Sequence, residues 1–202
     1  RLETFKELIQ ECADDMAALP KVEYAGSRDD RNAEAILMLS DFHIGDQIDN
    51  FYNKYNSEIA MKRLSKVVED TIDYCQREKV FRLNIVNLGD LINGILHLTA
   101  RINQEENVTK QVTIASEMLA KAIVELQKAA PEIVYRSCID NHGRVMADFH
   151  QNIEEENFGK IIDFYLEARL QGTKVVIARD NLDDDIGQID LANGKKVIFV
   201  HG

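Results

Sequence analysis

Four short polar clusters carry most of the chain's reactive side chains, and each directly follows an apolar run. Asp41-Phe42-His43-Ile44-Gly45 comes after AILMLS, and Gly89-Asp90-Leu91-Ile92-Asn93 after NIVNL. Asp140-Asn141-His142-Gly143-Arg144 comes after IVYRSCI, and His201-Gly202 after VIFV. Carboxylate, imidazole and amide carbonyl are the donor types on offer, and the only thiol nearby, Cys138, lies on the strand side of the third cluster. Mixed oxygen and nitrogen donors without thiolate suit a catalytic divalent ion such as Mn, Fe or Zn rather than a structural zinc or an iron–sulfur cluster. Taken singly, each cluster has an ordinary reading. Asp41 and His43 could be a helix cap beside a surface imidazole, Gly89-Asp90 a tight turn, Asn141-His142-Gly143 a left-handed turn, and His201 an accident of position. Their conjunction argues otherwise, because three of the five histidines and the two best-placed aspartates, Asp41 and Asp90, fall at strand ends, one cluster per structural unit.

The elements that must position these clusters can be read from periodicity. Aliphatic runs at 35–40, 81–88, 132–136, 174–178 and 196–200 predict strands, several of them too apolar to have a wet face. Between them, Leu64, Val67, Val68, Ile72 and Cys75 share a helical face, as do Ile114, Met118, Leu119, Ala122 and Ile123, and later Phe158, Ile161, Ile162, Tyr165 and Leu166. Alternating strands and helices predict an α/β layered fold with parallel strands, whose ligands bind beyond the carboxyl ends of neighbouring strands. Asn193-Gly194, between 186–191 and 196–200, predicts a type I′ hairpin and therefore a mixed sheet. Residues 1–32 are expected to be an N-terminal amphipathic helix and loop, and 33–202 the main domain. Phe5, Ile9, Cys12, Met16 and Leu19 form a stripe over the first 20 residues. That stripe should pack on its own domain, the alternative being a partner helix or a second copy in a homo-oligomer, since two heptads are short for a coiled coil.

Composition narrows the partners. The 202 residues carry 24 Lys and Arg against 35 Asp and Glu, a net charge of −11. Such a chain has no broad basic footprint for gripping duplex nucleic acid, yet bound cations could still reverse the field inside a cleft and admit phosphate esters. No apolar run approaches the ~20 residues of a membrane helix, so no membrane partner is expected. Three scattered cysteines and no leader segment fit a reducing cytoplasm. The acidic stretch 180–185 lacks the glycine and distal glutamate of an EF-hand loop and is read as a solvated connection. Beginning at Arg1 and stopping at Gly202 after an apolar run, the chain is expected to be a fragment.

The order D-x-H, G-D, N-H, H-G resembles the calcineurin-like metallophosphoesterases over residues 36–202, and S-D-F-H-I-G is similar to their nuclease and phage or prokaryotic DNA-processing branch. The resemblance implies an αββα sandwich with mixed sheets. It also implies two divalent ions, Mn first among Mn, Fe, Zn and Mg. Asp41 and His43 would hold one ion, Asp90 would bridge, Asn141 and His201 would hold the second, and His142 would act at the leaving oxygen. Two ions so held activate a water and clamp both oxygens of an in-line displacement at phosphorus, which makes phosphodiesters, nucleic acid among them, the implied substrates. Arg144, Arg101 and His97 stand nearest in sequence to hold phosphate oxygens, with surface salt bridges the alternative for both arginines. The chain departs from the family pattern where Asp140 and Gly143 flank Asn141-His142, where Asn93 replaces an acid, and where the final G-H-x-H element would follow. Those departures leave open a non-catalytic module that binds a partner through its first helix.

Overall fold

A computed structural model describes residues 2–27, 30–96, 104–146, 148 and 156–201. Four parallel strands form the central sheet in the order β1 (Ala33–Leu39), β4 (Val80–Asn87), β5 (Glu132–Ser137), β6 (Val176–Ile177). Between β1 and β4 lie the two-residue strands β2 (Ile48–Asp49) and β3 (Lys54–Tyr55), a small antiparallel hairpin of their own. The helices α2 (Ser57–Arg77), α3 (Val108–Leu126) and α4 (Phe158–Arg169) complete the crossovers. Each starts where an asparagine can close the first turn. Asn56 accepts from Ile59 N at 2.9 Å, Asn107 from Lys110 N at 3.0 Å and Asn157 from Gly159 N at 2.7 Å.

Alternation along the strands divides the sheet into two unlike faces. Leu83 and Ile85 on β4, with Ile133 and Tyr135 on β5, meet Leu64 and Val68 of α2, Leu119 and Ile123 of α3, and Ile162 and Leu166 of α4 in one buried core. The even-numbered positions point the other way. There Arg82 reaches Glu34 at 3.1 Å and Glu132 at 2.9 Å across three strands, and Arg136 grips Asp180 with two bonds at 2.9 and 3.0 Å. The acidic connection is thus partly a pairing loop: Asp180 holds Arg136, and Asp184 holds Lys160 at 2.7 Å. A second, smaller core joins Val86 and Cys138 to Ile189 and Phe199 of the hairpin β7 (Ile186–Asp190) and β8 (Lys196–Val200). Helices therefore cover one face of the parallel sheet, and an antiparallel pair covers part of the other.

Three expectations need correction. The hairpin does not join the central sheet to make it mixed; it forms a separate two-stranded sheet laid on that sheet's second face. Its turn is not type I′ either. Gly194 N donates to Leu191 O at 2.9 Å and only Gly194 has positive φ, 81°, which is a type I turn closed by a left-handed glycine. The first helix, α1 (Leu2–Asp14), stops well before residue 20. Its last turn contains Asp14 and no basic residue, so nothing offsets the negative pole there, and Pro20 disfavours helical geometry at Leu19. Among the stripe residues, Cys12 is exposed while Ala13 is buried, and Leu19 reaches the core from outside the helix. The side chain of Phe5 lies outside the described ones. The helix packs on α4, where Gln171 bonds Gln10 and Arg169 bonds the Ala17 carbonyl. Among the described residues no helix is long and apolar enough to cross a membrane.

Candidate metal centre

The loops leaving β1 and β4 stay hydrogen-bonded beyond the strands. Asp41 N donates to Gly89 O at 3.1 Å, His43 N to Asp90 O at 2.9 Å, Ile44 N to Leu91 O at 2.9 Å, and Asn93 N returns to Ile44 O at 3.0 Å. This pairing fixes the first two clusters against each other at the cost of local strain. Among the described residues, four that are not glycine have positive φ, and three of them are Asp41 (58°), His43 (42°) and Asp90 (51°). A left-handed aspartate or histidine is uncommon, and three in one pair of loops mark a place where side-chain direction outweighs backbone comfort. Gly89 is required beside them: at φ 95° a Cβ would stand 2.3 Å from the Asp140 Cβ.

Asp90 is the centre of the arrangement. It is 5% exposed, and its two oxygens face different partners. Oδ2 lies 3.9 Å from His43 Nε2 and 3.9 Å from His142 Nε2, with Asp41 Oδ1 a further 3.6 Å beyond His43. Oδ1 lies 3.5 Å from His201 Nε2, which in turn is 2.6 Å from Asn141 Oδ1. Among the described residues His142 N donates to Oδ1 at 3.3 Å. His43, Asp90 and His142 offer ligand atoms that all lie within 4.8 Å of one another. The structure thus brings together Asp41, His43, Asp90, Asn141, His142 and His201, from four loops.

Tautomers follow from partners. His142 Nδ1 is 2.9 Å from the Asn93 carbonyl, and His201 Nδ1 is 2.7 Å from the Leu88 carbonyl. A carbonyl only accepts, so both Nδ1 atoms carry a hydrogen, and in its neutral form each ring turns an Nε2 lone pair toward Asp90. Between His201 Nε2 and Asn141 Oδ1 two acceptors then face each other, a contact that a proton or a cation resolves, as would rotation of the amide. Atoms bound at about 2.1 Å to one ion stand roughly 3 to 3.5 Å apart, slightly closer than the 3.5–3.9 Å separations found here. The Asn93 side-chain NH₂ is buried with no acceptor, a second sign that the site is arranged for something besides protein. Cys138 is no competitor: burial pushes its thiol up to about 11, so it keeps its proton.

The support for these groups is only partly legible as motif. His142 is oriented by the Asn93 main chain rather than by a side-chain acid, which no sequence signal announces. Asp140 instead ties the loop together, accepting from Gly143 N, while burial holds its carboxyl above the usual range. Asn157, 5% exposed, donates to the Asp140 carbonyl at 2.9 Å as well as capping α4; an asparagine just before a helical run was its available signal. Buried Gln111 accepts from Gly94 N at 3.0 Å and holds the segment after Asn93. Arg144 is half-buried with Nε bonded to the Asn141 carbonyl at 3.1 Å, so it braces the loop. His97 and Arg101 lie outside the described residues.

No family model matches the chain. A stretch of 130 residues, 63% of the chain, is 27% identical to the SPbeta prophage-derived uncharacterized protein YonJ of Bacillus subtilis (strain 168). The match spans 32% of that protein, about a third of its length.

Proposed function

We propose that the protein is a metal-dependent phosphoesterase that hydrolyses phosphodiesters, built as a calcineurin-like αββα sandwich around a two-ion site. The observation that carries the reading is the division of Asp90, with Oδ2 turned to His43, Asp41 and His142 and Oδ1 to His201 and Asn141. A carboxylate ringed by lone-pair donors on two sides is the arrangement a bridging ligand needs. The strand-end position of all four clusters and the layering of helices, parallel sheet and hairpin support it.

Asp41, His43 and Asp90 Oδ2 would hold one ion, and Asp90 Oδ1, Asn141 and His201 the other; manganese suits this oxygen and nitrogen set. Two divalent ions there would lower the pKa of a shared water and neutralise charge on the phosphate. The chain's own residues supply the rest. Loop pairing keeps Asp41 and His43 beside Asp90 without reorganisation, and Asn93 and Leu88 hold the two imidazoles in one tautomer. His142, its Nδ1–H committed to the Asn93 carbonyl, turns Nε2 to the site, and after taking up a proton there it would deliver that proton to the departing oxygen. The intact protein should cleave bis-p-nitrophenyl phosphate in Mn²⁺ and lose that activity in chelator. Turnover unaffected by chelation, or none in any divalent ion, refutes the reading.

A further inference from the structure

The hairpin that leaves this site carries two aromatic rings exposed at its tip. Phe51 is 94% exposed and Tyr52 92%, at the tip between β2 and β3. Their rings meet edge to face, centroids 5.2 Å apart and planes at 89°. An aromatic side chain offers 150–250 Å² for burial, so two left in water on a loop tip represent contact area that the fold itself does not use.

The tip is not slack. Asn50 Oδ1 accepts from both Tyr52 N and Asn53 N at 2.9 Å, and Asn50 N donates to Asn53 O at 3.0 Å. A hairpin with two paired residues per strand is marginal by itself, so its order comes from its anchors. Tyr55 donates its hydroxyl to the Phe42 carbonyl, between Asp41 and His43, and burial raises that hydroxyl's pKa, keeping it a donor. The Arg63 guanidinium lies 5.3 Å from the Tyr55 ring centroid, and the next residue, Asn56, caps α2. The aromatic tip is therefore mounted on the loop that presents Asp41 and His43. Tyr52 is three residue steps from Tyr55, so the tip lies within about 10 Å of that anchor, a few phosphate spacings along a strand.

We infer that Phe51 and Tyr52 form a stacking platform for the unpaired bases of a single-stranded nucleic acid whose phosphodiester lies at the Asp90 site. This rests on the phosphodiesterase reading above. A net charge of −11 opposes a long phosphate track, so affinity for a strand has to come from stacking on a π-face, which needs no charge and tolerates any base. The hairpin is locally neutral, its one acid and one base, Asp49 and Lys54, paired at 3.2 Å. A duplex would hide the base faces that these rings require.

The test is fluorescence anisotropy of fluorescein-labelled (dT)₁₂ with the intact protein in chelator, where no hydrolysis occurs. Removing one ring should weaken binding about tenfold and Phe51→Ala with Tyr52→Ala about a hundredfold, while Tyr52→Phe binds as wild type. Labelled duplex of the same length should bind at least tenfold more weakly than (dT)₁₂. Wild-type protein that fails to bind (dT)₁₂, or a double-alanine variant that binds it equally well, overturns the platform. So does ring-dependent sedimentation with phosphatidylcholine–phosphatidylserine vesicles in place of oligonucleotide binding. Ring-dependent binding by a protein that never cleaves a diester overturns the phosphodiesterase reading instead, so the two failures are distinguishable. Thermal unfolding should be unchanged in these variants, since neither ring is packed.

Discussion

Two carboxylates near the carboxyl end of β5 are treated in opposite ways. Asp163, on α4, is closed off by fixed hydroxyls: Ser137 Oγ donates to one oxygen at 2.6 Å and Tyr135 Oη to the other at 3.3 Å. Burial nevertheless pushes its pKa up to about 6, against the pull of those bonds and of Arg179 and Lys160. Asp90 has one distant backbone donor and three imidazole nitrogens at 3.5–3.9 Å, too far to be hydrogen bonds. Both groups are costly to bury, and the offsetting contacts differ in kind. Asp163 is satisfied by protein atoms and serves packing, whereas Asp90 faces imidazole nitrogens that a bound cation would satisfy together with it.

The strongest break of this contrast is Asp90→Asn. Diesterase activity should fall to the uncatalysed level and bound metal, measured by plasma mass spectrometry, should drop for both ions. Full rate with full metal content in that variant refutes the bridging assignment. Asp163→Asn, by contrast, should keep its metal.

His142→Ala sharpens the same side. Removing a proton donor should cost on the order of 10² to 10⁴ in rate on a substrate with a poor leaving group, and less on a nitrophenyl ester, with metal retained. Loss of metal instead would make His142 a ligand, as its proximity to His43 and Asp90 also permits.

On the other side, Asp163 predicts an inverted pH dependence. Its folded pKa is raised to about 6 from an ordinary 3.8, so the folded state holds the proton to higher pH than the unfolded chain. Its contribution to stability is therefore most favourable below about pH 4 and is lost as pH rises to about 6, a change of about 3 kcal/mol. Urea unfolding between pH 4 and 7 should show this trend for wild type and a flatter one for Asp163→Asn. A wild-type slope of the opposite sign in that window, steepened rather than flattened by the substitution, would sink the assignment.

The smallest effect expected is at Asn157, which joins the two regions by capping α4 and holding the Asp140 carbonyl. Asn157→Ala should cost about 1 to 2 kcal/mol, a fall of several degrees in Tm by calorimetry, and should weaken metal binding because the Asn141-His142 loop loses its brace. A stability loss with unchanged metal affinity would separate the cap from the site.

By itself the sequence determined the elements and the rim on which chemistry sits. Aliphatic runs and 3.6-residue periodicity are local, and they located the central strands and the three long helices to within a few residues. Polar clusters at the ends of neighbouring strands converge, which holds for Asp41, His43, Asp90, Asn141 and His142 after β1, β4 and β5, whereas His201 was named from the order of the motifs and reaches the site from a hairpin laid on the sheet. Only tertiary structure decided how they are held. The carbonyls that set the tautomers of His142 and His201 belong to residues 49 and 113 positions away, and every residue has a carbonyl. Left-handed φ at Asp41, His43 and Asp90 arises from pairing between two loops. The fate of the hairpin was likewise long-range, since alternation in 186–200 specifies an apolar face but not whether that face joins a sheet or lies on one. The exposure of Phe51 and Tyr52 is also a tertiary fact: an aromatic pair in sequence reads as core until the fold fails to cover it.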